Sequence, residues 1–228
     1  MSKADKAEND PKLTYSVSMS LDGFVAGRSQ GRQHPLGIHG ELLHAWMREL
    51  SAWRKAAGLK GGITNASSRV ILDEDTNVGA LIMGRNMFGG GPGPWRTPAW
   101  NGWWGDDPPF HLPVFVLTHH PREPLRCEGG TTFHFVTRGV SAALRFAMTT
   151  AKGRDVAICG GAGVAKQYIE AGLVDEINIH LVPVFLGAGV RLFDSALLPN
   201  VHLRQQRVIE APGVTHLTYR IGRPPQSR

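Results

Sequence analysis

The sequence predicts an α/β protein with a mainly parallel central sheet. Short apolar segments that suit buried strands alternate through most of the chain with segments whose apolar residues recur at helical spacing. The C-terminal segments 203–210 and 214–221 are separated only by Ala211-Pro212-Gly213, a sequence typical of a tight turn. We therefore expect parallel strands joined by helices, followed by a C-terminal antiparallel hairpin.

Each predicted element follows from a local pattern. Short apolar or alternating runs predict strands at residues 12–18, 80–83, 114–117, 132–136, 155–159 and 176–184. Apolar stripes at helical spacing predict helices at residues 41–57, 67–75, 141–150 and 164–173. The charged residues 1–11 predict a flexible tail, which leaves residues 12–223 as a single domain.

The segment 89–113 has no regular pattern, and it contains six prolines and four tryptophans. Loops of this length inside compact domains are usually functional or disordered. Because disordered segments are poor in aromatic residues, this segment predicts an ordered flap or pocket wall.

The composition narrows the class of protein. The chain is 42% hydrophobic and 19% charged, and no run approaches the roughly 18 apolar residues of a membrane span. Two cysteines without C-x-x-C spacing predict a reducing cytoplasm and argue against structural zinc. The net charge of +6 leaves open a nucleic-acid surface or a protein that binds phosphorylated small molecules.

A glycine turn follows the predicted strand 155–159. It reads Gly160-Gly161-Ala162-Gly163 and leads into the predicted helix 164–173. A turn of this kind exposes backbone N–H groups beside the positive end of a helix dipole, which suits a phosphate or pyrophosphate. A tight connection with glycine present only for packing explains the same residues, and the local sequence leaves both readings open.

Five motifs in order resemble one family. MSLDGFVAG (19–27), LIMGRNMF (81–88), VFVLTHHP (114–121), ICGGAGVAKQYIEAGLVDEI (158–177) and PVFLGAGVRLF (183–193) follow one another in the chain. Together they resemble dihydrofolate-reductase-like proteins, specifically the group related to the C-terminal reductase domain of bacterial riboflavin biosynthesis. The resemblance extends from about Leu13 to Arg220 and implies a three-layer fold.

The resemblance also implies an NADPH site. Gly84 and Arg85, with Asn86 and Met87 after them, match the strand end that holds the cofactor phosphates, and arginine pairs well with phosphate. The other positions implied to contact the cofactor are Ser18, Val25, Ala26, Thr118, His119, Gly160, Gly161, Ala162, Gly163 and Val164. Of these, Ser18 and the loop positions Val25 and Ala26 match contacts to the nicotinamide.

Thr118 and His119 match the positions that bracket the adenosine 2′-phosphate, which favours NADPH over NADH. A metal site formed by His119 and His120 is the competing idea for this segment. It has no third ligand close in the sequence, so no metal is expected.

Three residues are candidates for the proton step. His180 matches a substrate-side polar position of the family, although a histidine on a strand is equally well a buried core residue. Asp22 is a candidate proton donor or a residue that shapes its loop. Glu49 is a candidate for the acid that dihydrofolate reductases carry on the helix after the nicotinamide loop. Trp95, Trp100, Trp103 and Trp104 are expected to contact the substrate.

These observations predict an NADPH-dependent reductase of a small pterin-like or pyrimidinone-like heterocycle or a carbonyl compound, in which the cofactor supplies the hydride. The alternative is a non-catalytic nucleotide-binding or regulatory module on the same fold. A basic nucleic-acid-binding surface is a third reading, which predicts salt-sensitive DNA retention. The resemblance implies a homodimer.

Overall fold

The computed structural model describes residues 10–31, 33–96, 99–193 and 201–222. Residues 1–9 of the predicted tail lie outside these ranges, as does the last residue of the predicted domain, Arg223.

The described chain contains strands and helices that alternate as predicted. The strands are β1 (Leu13–Ser20), β2 (Phe24–Gly27), β3 (Val78–Gly84), β4 (Pro113–Leu117), β5 (Leu125–Arg126), β6 (Thr132–Val136), β7 (Asp155–Cys159), β8 (Glu176–Val182), β9 (Gly189–Arg191), β10 (His202–Ala211) and β11 (Val214–Gly222). The helices are α1 (Ala45–Arg48), α2 (Ser51–Ala56), α3 (Ala66–Thr76), α4 (Arg85–Phe88), α5 (Gly139–Ala151) and α6 (Ala162–Glu170).

The predicted helix over residues 41–57 was wrong as one continuous element. A 3-10 turn (Gly40–His44) leads into α1, and the chain is extended at Leu50 (φ −72°, ψ 136°) before α2 begins. The cause is a non-local pairing, because the Ser51 amide donates to the Ile63 carbonyl at 2.8 Å and the Ile63 amide donates to the Glu49 carbonyl at 2.8 Å. This strand-like bridge interrupts the helical hydrogen bonds.

The chain forms two compact units. The first comprises Asn77–Gly161 with the chain up to Thr14, and the second comprises Tyr15–Thr76 and the chain from Ala162 onward. The single domain expected over residues 12–223 stays a prediction.

The sheet of the first unit has the strand order β7-β3-β4-β6-β5. The strands β7, β3, β4 and β6 are parallel to their neighbours, and only the short β5 is antiparallel. Helix α5 lies close to β3, since a Cβ atom at Gly79 would come within 2.9 Å of Ala151. A separate aromatic and aliphatic cluster is built around Met83, Phe88 and Phe133.

The second unit contains neighbouring strands in the order β10-β11-β8-β1. Strands β10 and β11 form the predicted antiparallel hairpin, with Ala211 opposite Val214 at the turn, and β11 pairs antiparallel with β8. Strands β2 and β9 form a small separate pair. The core of this unit is built around Leu43, Trp46 and Val182. The predicted class, a mainly parallel α/β sheet with antiparallel C-terminal strands, is thus confirmed.

Candidate active site

Three parallel strand ends of the first unit meet at one edge of its sheet. Strand β3 lies between β7 and β4 and is parallel to both, so their carboxyl ends point the same way. Gly84 ends β3, Thr118 directly follows β4 and Gly160 directly follows β7. Carboxyl edges of parallel sheets are where α/β proteins bind ligands, and each of these ends carries residues of the predicted phosphate site.

Arg85 is held in place by an aromatic ring and a hydroxyl. Its guanidinium carbon lies 3.3 Å from the centroid of the Trp95 ring, and its Nη1 donates to Thr118 Oγ1 at 3.2 Å. Its Nε donates to the Gly89 carbonyl at 3.1 Å. Thr118 is buried, while Arg85 is half-buried. A cation fixed in this way is oriented before any ligand arrives, which lowers the entropic cost of binding an anion.

A second cation, Arg122, lies beside the same indole, 5.0 Å from the Trp95 ring centroid. Its Nη2 donates to Asn101 Oδ1 at 2.7 Å. Partial burial lowers the pKa of Arg85, and the charge of Arg122 lowers it further. Both guanidiniums stay charged at neutral pH, so this corner of the sheet favours an anion. The sequence reasoning missed Arg122, although it directly follows the motif that ends at Pro121.

The end of β7 is close to the start of α4. Gly160 and Gly161 have left-handed φ values of 61° and 75°, and a side chain on Gly160 would collide with the sulfur of Met87. Two of the predicted cofactor motifs, at residues 84–87 and 160–161, are therefore in contact. Gly161 is exposed, and apart from its chain neighbours no atom of the described residues lies within 4 Å of its Cβ position, so its backbone is open to a ligand.

The remaining predicted cofactor residues occupy varied positions. Asn86 and His119 are exposed. Ala162, Gly163 and Val164 form the first turn of α6. Val25 and Ala26 were predicted in a loop, but they lie on β2, which pairs with β9. Ser18 is buried and accepts a hydrogen bond from Trp46 Nε1 at 3.2 Å.

Of the four tryptophans predicted to contact the substrate, Trp95, Trp100 and Trp104 pack against the first unit's aromatic cluster, and Trp103 is more exposed. Trp95 packs edge-on against Phe88 and Phe135, and its Nε1 donates to the His120 carbonyl at 3.1 Å. Trp100 packs against Trp103, and Trp104 stacks on Phe133. These contacts order the described parts of the loop, residues 89–96 and 99–113, in agreement with the expectation from the aromatic content. The substrate contact itself stays a prediction for all four residues.

Asp22 connects two loops of the second unit. Its carboxylate accepts hydrogen bonds from Ser20 Oγ at 2.6 Å and from the amides of Leu186 and Gly187 at 3.1 and 2.7 Å. The bond from Ser20 and the two backbone amides lower the pKa of Asp22. A carboxyl group that is ionised and engaged on both oxygens suits the shaping of a loop better than the donation of a proton.

His180 belongs to a continuous chain of polar side chains in the second unit. Its Nε2 lies 2.9 Å from Ser16 Oγ, which donates to Glu74 Oε2 at 2.7 Å. Its Nδ1 lies 2.8 Å from Nδ1 of His216, whose Nε2 lies 2.8 Å from Ser67 Oγ. The two histidines are opposite one another on β8 and β11, and each is 3% exposed. We call Glu74, Ser16, His180, His216 and Ser67 the polar chain.

The surroundings of His216 and of the nearby His44 disfavour a positive charge on these two imidazoles. Burial, and then the neighbouring His180, lower the pKa of His216 to about 4. Burial, and then Arg48 and His180, lower the pKa of His44 to about 4. The edge of Trp46 packs against both rings of the histidine pair, with centroid distances of 5.1 Å.

The carboxylate that contacts His180 is that of Glu74, with Oε2 3.5 Å from Nε2. Glu49, the predicted acid, is exposed at the break that follows α1. Glu74 was missed because it is one of three consecutive acidic residues. The helical phase identifies it, since Ser67, Val70 and Glu74 are spaced at i, i+3 and i+7 on α3, and the first two are buried.

Among the described residues, no group of three or more His, Cys, Asp or Glu side chains could hold a metal ion. Within the same ranges, no helix is long and apolar enough to cross a membrane.

The mainly parallel sheet with antiparallel C-terminal strands is the fold of dihydrofolate-reductase-like proteins. A dihydrofolate reductase of Enterococcus faecalis, solved with NADP(H), matches at a TM-score of 0.50 and 14% identity over 92% of this chain and 96% of that one. The chain belongs to the RibD C-terminal domain family, because the family model matches residues 11–217.

Further solved structures show the same fold. A protein from a Shewanella species described as a putative riboflavin biosynthesis protein matches at a TM-score of 0.61 and 20% identity, over 93% of this chain and 99% of that one. The riboflavin biosynthesis reductase Rib7 of Saccharomyces cerevisiae matches at 0.50 and 14% identity, over 97% and 94%. RibD of Acinetobacter baumannii matches at 0.54 and 15% identity, and this chain spans 59% of its length. A search of curated protein sequences found no significant match.

Proposed function

We propose that the protein is an NADPH-dependent reductase that adds hydride to a small pterin-like or pyrimidinone-like heterocycle or a carbonyl compound. Membership of the RibD C-terminal domain family supports a reductase of the riboflavin-biosynthesis kind. The observation that carries the proposal is the pair formed by Arg85 and Thr118 at the carboxyl ends of β3 and β4.

The donor set at these strand ends fits a phosphate. A guanidinium and a hydroxyl 3.2 Å apart, with the second guanidinium of Arg122 beside the same indole, offer charge-assisted hydrogen bonds. The adenosine 2′-phosphate is the group that distinguishes NADPH from NADH. We therefore assign Arg85, Thr118 and Arg122 to that phosphate, with the exposed His119 as a further candidate. When bound, the cofactor would supply the hydride.

The open backbone at Gly161 supports the pyrophosphate assignment of the glycine turn, because a ligand can approach its Cβ side without meeting a side chain of the described residues. Ala162, Gly163 and Val164, at the start of α6, are assigned to the same group. Ser18, Val25 and Ala26 are assigned to the nicotinamide on the resemblance to the family.

Reduction of a C=N or C=O bond also requires a proton on the heteroatom. Glu74 and Ser16 form the more accessible end of the polar chain, since the Glu74 side chain is 14% exposed while His180 is nearly buried. We assign the proton step to Glu74, Ser16 and His180. An acidic residue on α3 that contacts His180 supports the reductase over the non-catalytic module.

The test is oxidation of NADPH, followed at the absorbance band of the reduced nicotinamide. Pterin, pyrimidinone and quinone panels would be offered to the full chain, and cofactor binding would be measured by calorimetry in parallel. Turnover with at least one compound, accompanied by saturable NADPH binding, is the expected result. Binding without turnover on every panel would favour the non-catalytic module, and no binding at all would refute the cofactor assignment.

We further propose that the protein acts as a homodimer in the cytoplasm. The family resemblance supports the dimer, and the two cysteines without C-x-x-C spacing support a reducing compartment. Light scattering coupled to size-exclusion chromatography measures the mass directly, and a mass of about 25 kDa would contradict the dimer.

A further inference from the structure

The inner end of the polar chain has no place in the cofactor or proton assignments above. Ser67 is 1% exposed and His216 is 3% exposed, and both lie behind His180 as seen from Glu74. Buried polar groups are costly unless each donor meets an acceptor. The five groups therefore constrain where every proton in the polar chain is located.

The direction of each hydrogen bond follows from the carboxylate. An ionised Glu74 can only accept, so Ser16 uses its single proton to donate to it. Ser16 Oγ must then accept from His180 Nε2, which places the hydrogen of neutral His180 on Nε2. The Nδ1 of His180 is left as an acceptor, so Nδ1 of His216 donates to it. The remaining nitrogen, Nε2 of His216, accepts from the Ser67 hydroxyl.

We propose that His216 and Ser67 are positioning residues that fix the tautomer of His180, so that its Nε2–H is directed at Ser16 and Glu74. The proposal rests on the proposed reductase function, in which His180, Ser16 and Glu74 carry out the proton step. Without a donor on its Nδ1 side, His180 would be free to place its hydrogen on either nitrogen. The Ser16 hydroxyl would then meet either an N–H group or a lone pair.

The same geometry accommodates the other protonation state of Glu74. When Glu74 carries a proton on Oε1, its Oε2 still accepts from the Ser16 hydroxyl. The other hydrogen bonds of the polar chain keep their directions, and both imidazoles keep their tautomers. The only net addition is the proton on Glu74.

The proton on Glu74 balances the reduction. Hydride adds to the substrate carbon with two electrons, and the heteroatom takes the proton as the Glu74 O–H bond breaks. The carboxylate continues to accept from Ser16, and solvent restores the proton at the partly exposed Glu74. The other charged or titratable groups that act on the histidine pair are His44 and Arg207.

The test has a readout that does not depend on activity. Long-range ¹H–¹⁵N spectra of the imidazole rings, recorded on the full-length protein without cofactor at neutral pH, distinguish the two tautomers. The expected result is a hydrogen on Nε2 of His180 and on Nδ1 of His216. A hydrogen on Nδ1 of His180 would overturn the proposal, whatever the protein catalyses.

A second experiment removes the buried hydroxyl of Ser67. Ser67→Ala is expected to give averaged ring ¹⁵N shifts at both histidines and to lower kcat by about 10-fold, part of the contribution of a general acid, with KM and NADPH affinity unchanged. The control Ser141→Ala removes an exposed hydroxyl of α5 in the first unit and should change neither readout. A folded Ser67→Ala protein with unchanged ring shifts and kcat would refute the positioning role. If the wild type fails to bind NADPH, the proposed function fails, while the tautomers are still decided by the spectra.

Discussion

The guanidinium carbon of Arg85 lies 3.3 Å from the centroid of the Trp95 ring, so the cation rests on the face of the indole. Trp95 in turn donates its Nε1–H to the His120 carbonyl and contacts Phe88 and Phe135. A residue from the tryptophan-rich loop thus orients a residue at the end of β3.

Trp95→Leu is expected to weaken NADPH binding although Trp95 is not assigned to the phosphate. The loss of a desolvated cation–π contact costs about 2 kcal/mol, which corresponds to roughly 30-fold in Kd. Calorimetric titration with NADPH measures the change. Trp103→Leu is the control, because Trp103 is exposed and contacts Trp100 instead of Arg85. Equal losses in both variants would show that Trp95 acts only through the general packing of the loop.

Gly160→Ala is expected to destabilise the fold more than an ordinary glycine replacement. The left-handed φ of 61° costs about 1–2 kcal/mol for a residue with a side chain, and the collision with Met87 adds about 1–3 kcal/mol of overpacking. Urea unfolding gives the free energy directly.

Gly153→Ala is the matched control for this replacement. Gly153 also has a left-handed φ, of 83°, but apart from its chain neighbours no atom of the described ranges lies within 4 Å of its Cβ position. It should therefore show the backbone cost alone. Equal free energies of unfolding for the two variants would contradict the contact between the end of β7 and Met87.

Stability should fall as the pH drops from about 6.5 toward 4. His216 and His44 have folded pKa values lowered to about 4, so they are neutral in the folded protein while the unfolded chain takes up protons below pH 6.5. The stabilising contribution is complete above 6.5 and is lost at up to about 1.4 kcal/mol per pH unit for each histidine. Urea unfolding at pH 7.5, 6.5, 5.5 and 4.5 measures the slope.

Carboxylates also lower the free energy of unfolding at acidic pH. The variant His44→Gln separates the contribution of one histidine from theirs. Its slope between pH 6.5 and 4.5 should be shallower than that of the wild type by about 1 kcal/mol per pH unit. Parallel slopes for the two proteins would show that His44 titrates normally in the folded state.

Asp22→Asn should loosen the loop that contains Leu186 and Gly187. The amide has one acceptor oxygen in place of two, so at least one backbone donor loses its partner at a cost of about 1–2 kcal/mol. Hydrogen exchange of the Leu186 and Gly187 amides should accelerate, and Glu123→Gln, an exposed carboxylate of the first unit, should leave it unchanged. Loss of turnover with unchanged exchange would favour Asp22 as a proton donor instead.

The parts of the fold that local sequence controls were predicted correctly. The apolar run 80–83 followed by Gly84-Arg85, and the run 155–159 followed by two glycines, identify strands and their ends without reference to other segments. The break at Leu50 was not predictable in this way, because it depends on the pairing of Leu50 with Ile63. Strands β2 and β9 were missed for the same reason, since each is short and is defined by its distant partner.

In the candidate site, too, local sequence predicted some residues, while the others depend on distant parts of the chain. Arg85 and Gly160 stand in recognisable motifs, whereas the pairing of His180 with His216 follows from the register of β8 and β11. Neither the 36-residue separation nor any local pattern connects the two histidines. Glu74 could have been found from the helical phase of Ser67 and Val70, but its partner Ser16 lies 58 residues away on another strand.

The most direct test of the central claim is the affinity for NADPH and NADH of the wild type and Arg85→Gln. Removing the charged partner of a phosphate costs about 1.5–3 kcal/mol, or roughly 10- to 150-fold in Kd. We expect the wild type to prefer NADPH over NADH, and Arg85→Gln to lose most of that preference while its NADH affinity is little changed. The control Lys152→Gln removes an exposed cation after α5, at the end of the sheet where β7 begins, and should behave as the wild type. Equal affinity of the wild type for both cofactors, or an Arg85→Gln protein that keeps its preference, would contradict the account.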